Sequence, residues 1–186
     1  MQLAHYTDLL TLKIGEVLNT SSQVPTRYWL SKFNPDSAPM YELLLGKNPP
    51  ATPETIVAKQ VLDLVGSGFS KAKLELLKEY LFEDIRQMEF PDLPSRIKAT
   101  FFLDNDNQAE NSILRFSPAF AGREKMVFIG IKGKYNIFKA DANFLNCNTK
   151  STKEILAMAR GYWRGESLYD QPLFEILGIG HFSRIG

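Results

Sequence analysis

The chain has 186 residues, 44% of them hydrophobic and 23% charged, and its 22 basic and 21 acidic side chains leave a formal charge of +1. That length fits one domain able to bury a core, and 13 Phe, 7 Tyr and 2 Trp exclude general disorder. The near-neutral balance gives no bulk argument for a nucleic-acid or membrane partner, a lone Cys147 excludes a disulfide framework, and two His beside it make no zinc ligand set. Leu3-Ala4-His5-Tyr6-Thr7 is short, apolar and aromatic, as a strand is. Leu9 to Ile14 reads as a short helical or turn segment stopped by Gly15. Residues 19–52 carry five prolines and scattered aromatics, which predicts a long irregular insertion with one short helix near Pro39 to Leu45.

Thr52-Pro53-Glu54 opens a helix whose apolar positions run from Ile56 to Val65 and end at Gly66. A second helix starts near Ser70. Its stripe is Leu74, Leu77, Leu81, Ile85 and Met88, with Lys73, Glu75, Lys78, Glu79 and Glu83 on a solvated face. Pro91 and Pro94 stop it. The period then changes. Ile97 to Leu103, Met126 to Ile131 and Tyr135 to Lys139 read as strands, with Lys132-Gly133-Lys134 as a basic hairpin tip. Ala109 to Phe116 fits a short helix between strands. Ser151-Thr152-Lys153-Glu154 is a capping box for a helix through Trp163, in which Trp163 anchors core, and Pro172 to Leu177 is a last strand. The order implies one α+β domain over residues 1–186.

No phosphate-loop, dinucleotide, zinc-protease or nucleophile-elbow motif occurs. Gly66-Ser67-Gly68 is too short to cradle a phosphate. The N-terminus lacks the basic segment and long apolar run of a secretion signal, and no run reaches membrane-span length. The expectation is a soluble cytoplasmic protein, with no membrane partner and no metal.

Three stretches carry chemistry. Taken singly, His5 reads as surface or satisfied core, Phe101 and Phe102 as core beside a solvent-facing Arg96, and Glu175 as a solvated strand start. Taken in order, His5-Tyr6-Thr7, then Pro94-Ser95-Arg96 through Phe101-Phe102-Leu103, then Phe174-Glu175-Ile176-Leu177-Gly178 resemble the three motifs of the ADP-ribosyltransferase superfamily. The resemblance covers residues 3–18 and about 85–186. It is similar to the DNA-modifying branch and to small bacterial or phage members. Phe101 stands where the poly(ADP-ribose) polymerase-like members have Tyr.

That resemblance implies a split β-sandwich of short mixed strands flanked by helices, and NAD as the substrate cofactor. His5 would hold the adenosine-side ribose, since an imidazole can both donate to and accept from a diol. Tyr6 and Thr7 would meet nicotinamide through their backbone, Phe101 or Phe102 would stack on its ring, and Ser95 and Arg96 would serve the pyrophosphate or the target. Glu175 would be catalytic, stabilising oxocarbenium character as nicotinamide leaves. His5, Phe102 and Glu175 should then line one cleft. The implied activity is mono-ADP-ribosyl transfer to a protein or nucleic acid, or NAD hydrolysis, as in a toxin or phage effector. The alternatives are a non-catalytic binding or inhibitor module on the same fold, and an RNA 2'-phosphotransferase-like activity, for which the expected Arg and His set is not evident.

Overall fold

The computed structural model describes residues 1–7, 12–21, 71–105, 123–147, 150 and 152–186. The calls for a helix from Thr52, for most of the 19–52 insertion, for Gly66-Ser67-Gly68 and for a helix over Ala109 to Phe116 fall outside them. The described elements run β1 (Leu3–Thr7), β2 (Val17–Asn19), α1 (Lys71–Glu89), β3 (Thr100–Asp104), β4 (Glu124–Asp141), a 3-10 turn (Ala142–Leu145), α2 (Thr152–Trp163) and β5 (Phe174–Arg184). This is an α+β chain.

Every recorded ladder is antiparallel. The sheet order is β2-β5-β3-β1-β4, and β4 also pairs with β5, so β5, β3, β1 and β4 close into a four-stranded barrel. Closure removes the edges that an open sheet would leave to pair with other chains. β2 lies outside this ring, on the flank of β5 at His181 to Ser183.

The two strands expected on either side of Gly133 are one strand. Both halves of β4 run alongside β5 in one direction, Phe128 opposite Arg184 and Phe138 opposite Leu177. Residues between Gly130 and Tyr135 bulge from the ladder, so Lys132-Gly133-Lys134 is not a hairpin tip. A bulge bends a strand, which lets an 18-residue strand follow a small barrel. Gly180 faces it with φ 123°, and a Cβ there would fall 2.6 Å from the Tyr135 Cα. The last strand also runs on past Leu177 to Arg184, where its glycines hid it from propensity reasoning.

Alternation along the strands makes two cores. Leu3, Phe102, Met126, Phe128, Ile176 and Phe182 fill the barrel, with the Phe102 and Phe182 ring centroids 4.8 Å apart. Their neighbours point outward: Leu177 and Ala140 pack beneath Leu81, Phe82 and Ile85 of α1 and Ala159, Tyr162 and Trp163 of α2. Trp163 donates its indole N–H to the Phe82 carbonyl at 2.6 Å, which joins the two helices. The C-terminal part of the polar stripe of α1 is not a solvated face. Lys78, Glu79 and Glu83 are buried and Met88 is 54% exposed, because the helix has neighbours on more than its apolar side.

Candidate functional site

The residues singled out by sequence separate into two groups, on opposite faces of β3 and β5. The first lies between sheet and helices. Arg96 sits in the turn that leads into β3 and is buried. Its Nε donates to Glu79 Oε2 at 2.7 Å and its Nη2 to Glu79 Oε1 at 3.2 Å, a bidentate pair with α1. Its Nη1 donates to the Tyr162 hydroxyl of α2 at 2.7 Å and to Glu175 Oε1 of β5. The Tyr162 hydroxyl in turn donates to Glu175 Oε1 at 2.6 Å. The guanidinium carbon lies 5.1 Å from the Phe101 ring centroid and 5.3 Å from that of Tyr162.

One cation therefore serves two buried carboxylates and a phenol. Burial works against the Arg96 charge, but Glu175 and Glu79 outweigh it and hold the guanidinium well above its ordinary range. Burial pushes the Tyr162 phenol well up. Burial also raises Glu175, with Arg96 and Tyr162 pulling it back only in part. Ser95 is buried beside them. Its carbonyl accepts from Ala99 N–H at 2.8 Å, while its Oγ has no hydrogen-bond partner among the described residues.

The second group lies at β1. His5 points to the barrel side, with ring centroids 5.7 Å from Phe102 and 6.4 Å from Phe128. Its Nδ1 lies 2.8 Å from the Phe101 carbonyl. A carbonyl can only accept, so Nδ1 carries the proton and the neutral ring presents Nε2 as an acceptor. Burial lowers its pKa, and the nearby Arg123 charge adds to the effect. Phe102 is 1% exposed and offers no face to a ligand ring. Tyr6 is half-buried, on the face opposite His5. Thr7 ends β1 opposite Glu124, and its side chain is outside the described residues.

His5, Phe102 and Glu175 do not line one cleft. Ile176 of β5 enters the barrel, so Glu175 and Leu177, one residue either way, face the helices. Arg96 lies on the Glu175 side, held by Glu79 and Glu175 rather than turned toward a ligand at His5. The Phe101 residue joins the groups: its ring lies under Arg96 and its carbonyl holds His5.

Sequence reasoning missed Glu79, Tyr162 and Asp141. Glu79 was hidden among the acids of a helix, and Tyr162 within its apolar stripe. Asp141 left a readable signal, an Asp just before Ala142-Asn143, as at an N-cap. Fully buried, it accepts the N–H groups of Asn143, Leu168 and Leu173 at 2.9–3.0 Å, and so ties the segment before β5 to the end of β4. Among the described residues no helix is long and apolar enough to cross a membrane, and no group of His, Cys, Asp and Glu could hold a metal ion.

Comparison with curated proteins returns no match. A protein-family model does match residues 51–184, well over half of the sequence, and the chain therefore belongs to the family described as protein of unknown function DUF2441.

Proposed function

We propose that this chain is a nucleotide-binding module that holds NAD at the His5 end of β1 without transferring its ADP-ribose. The reading rests on His5. A neutral imidazole, its tautomer fixed by the Phe101 carbonyl, offers Nε2 to a donor such as a ribose hydroxyl. It does so where the β1–β3 ladder ends: among the described residues that ladder covers Leu3 and Ala4, while β3 continues onto β5. That divergence of β1 from β3 is also what supports the finer fold reading, an ADP-ribosyltransferase-like split sheet. NAD as the ligand comes from the order of the three sequence motifs.

Binding without transfer is preferred because Glu175 is on the other face and engaged by Arg96 and Tyr162. A carboxylate that stabilises an oxocarbenium ion has to face the anomeric carbon. Transfer to a protein or nucleic-acid acceptor would need another carboxylate on the His5 side.

Titration calorimetry with NAD to millimolar concentration, alongside an assay for released nicotinamide, tests the reading. Saturable binding without catalytic release is expected. His5→Ala should weaken it by about 0.5–1.5 kcal/mol, the net worth of one hydrogen bond. Absence of binding at millimolar NAD overturns the proposal. Catalytic nicotinamide release that Glu175→Gln abolishes, with NAD affinity kept, restores the transferase reading.

A further inference from the structure

The two polar regions meet at one residue. Among the described residues the β1–β3 ladder pairs Leu3 with Asp104 and Ala4 with Leu103, so Phe101 lies beyond it. The Phe101 carbonyl accepts the His5 Nδ1–H at 2.8 Å, and a side chain thus bridges β1 and β3 where their backbone pairing ends. The Phe101 ring leaves on the helix side, where it packs against the core beneath α1 and α2. Its centroid is 5.1 Å from the Arg96 guanidinium carbon. That guanidinium is itself fixed, by Glu79, Tyr162 and Glu175. A cation over a ring face is attracted to it, more strongly out of water. On the next residue, Phe102 is locked in the barrel, and β5 holds Phe101 in register with Leu177. Ring and carbonyl belong to one residue, so a ring that tips carries its peptide plane along. A hydrogen bond weakens steeply once its angle falls below about 120°.

We propose that Phe101 is a positioning residue for the His5 site: its ring, held by the buried Arg96 guanidinium, sets the carbonyl that fixes the His5 tautomer. This rests on the nucleotide reading above and deepens it. The ion cluster on the helix side then governs which hydrogen-bonding form of the imidazole the barrel side presents. With the carbonyl turned away, the ring proton is no longer held on Nδ1, and Nε2 becomes a donor in part of the molecules. Affinity for a ligand that needs the acceptor form falls in proportion to its population.

The test reads the tautomer from the 15N chemical shifts of the His5 ring in the ligand-free protein, and the NAD Kd by titration calorimetry. Wild type should carry the proton on Nδ1. Phe101→Leu removes the ring and keeps the backbone, so it should move the proton toward Nε2 and raise the NAD Kd about two- to fivefold. Phe101→Tyr keeps the ring face and should restore both readouts. Ile85→Val loosens the same core by another residue and should leave both at their wild-type values, which separates positioning from loss of stability. Should Phe101→Leu not fold, Phe101→Met, ringless but adaptable in a core, takes its place. A proton that stays on Nδ1 without the Phe101 ring overturns the proposal. So does a tautomer that Ile85→Val shifts as far as Phe101→Leu does. Wild type that binds no NAD overturns the nucleotide reading instead, and the tautomer, read without ligand, still decides whether Phe101 positions His5.

Discussion

The helix side of β3 and its barrel side hold two polar regions that differ in how completely they are satisfied. Around Arg96, four elements converge on one guanidinium, and both carboxylates and the phenol beside it are engaged. Around His5, a single bond to the Phe101 carbonyl fixes a neutral ring. The contrast follows from the cost of burial. A charge taken out of water is tolerated only when partners surround it, which commits every residue of the cluster to the fold. A neutral imidazole costs far less to bury, and can keep one nitrogen for a ligand.

Removing the cation should break that contrast most sharply. Arg96→Met would leave Glu79 and Glu175 buried without a counter-ion, at about 3–5 kcal/mol. Thermal denaturation should show a large fall in Tm, or no folded protein at all. An unchanged Tm would mean that the two carboxylates are not committed to Arg96. Tyr162→Phe removes the hydroxyl between Arg96 and Glu175 and should cost about 1–3 kcal/mol, read from denaturant unfolding. A neutral result there would make the phenol a spectator.

Glu175→Gln is the sharper probe, since it keeps shape and drops charge. Burial raises the Glu175 pKa, so the folded state favours the neutral acid. That contribution is complete below the unfolded value of about 4.3 and is lost as pH rises through the raised folded value. Stability of wild type relative to the Gln variant should therefore decline from acid to neutral pH, with a difference of about 1 kcal/mol or less at neutral pH. A wild-type advantage that instead grows with pH would mean that the ion pair with Arg96 outweighs burial.

A comparably small effect is expected at His5, whose pKa burial lowers. Its neutral form contributes stability that is present above the unfolded value of about 6.5 and is lost as pH falls through the lowered folded value. His5→Ala should cost about 1 kcal/mol at pH 8 and flatten this acid limb. An NMR titration of the ring with a pKa above 6.5 would contradict the assignment of a neutral, acceptor-bearing imidazole.

Local pattern alone was enough for the α+β order, for α1 and α2, and for strands at β1, β3 and the start of β5. Apolar spacing, caps and proline stops act over a few residues and need no partner. The two halves of β4 were also visible, but Gly133 suggested a turn between them, since nothing local distinguishes a hairpin from a bulge. Only pairing with β5 decided it. The His5, Arg96, Phe101 and Glu175 side chains were each legible as unusual, and the sequence order suggested one site. Tertiary structure divided them, because successive residues of a strand face opposite ways and each face meets a different core. Glu79 and Tyr162 become partners of Arg96 only when α1 and α2 pack on the sheet, across 17 and 66 residues of sequence. Burial then pushes the Tyr162 phenol and the Glu175 carboxyl up, and burial is a property of the packed chain rather than of any segment.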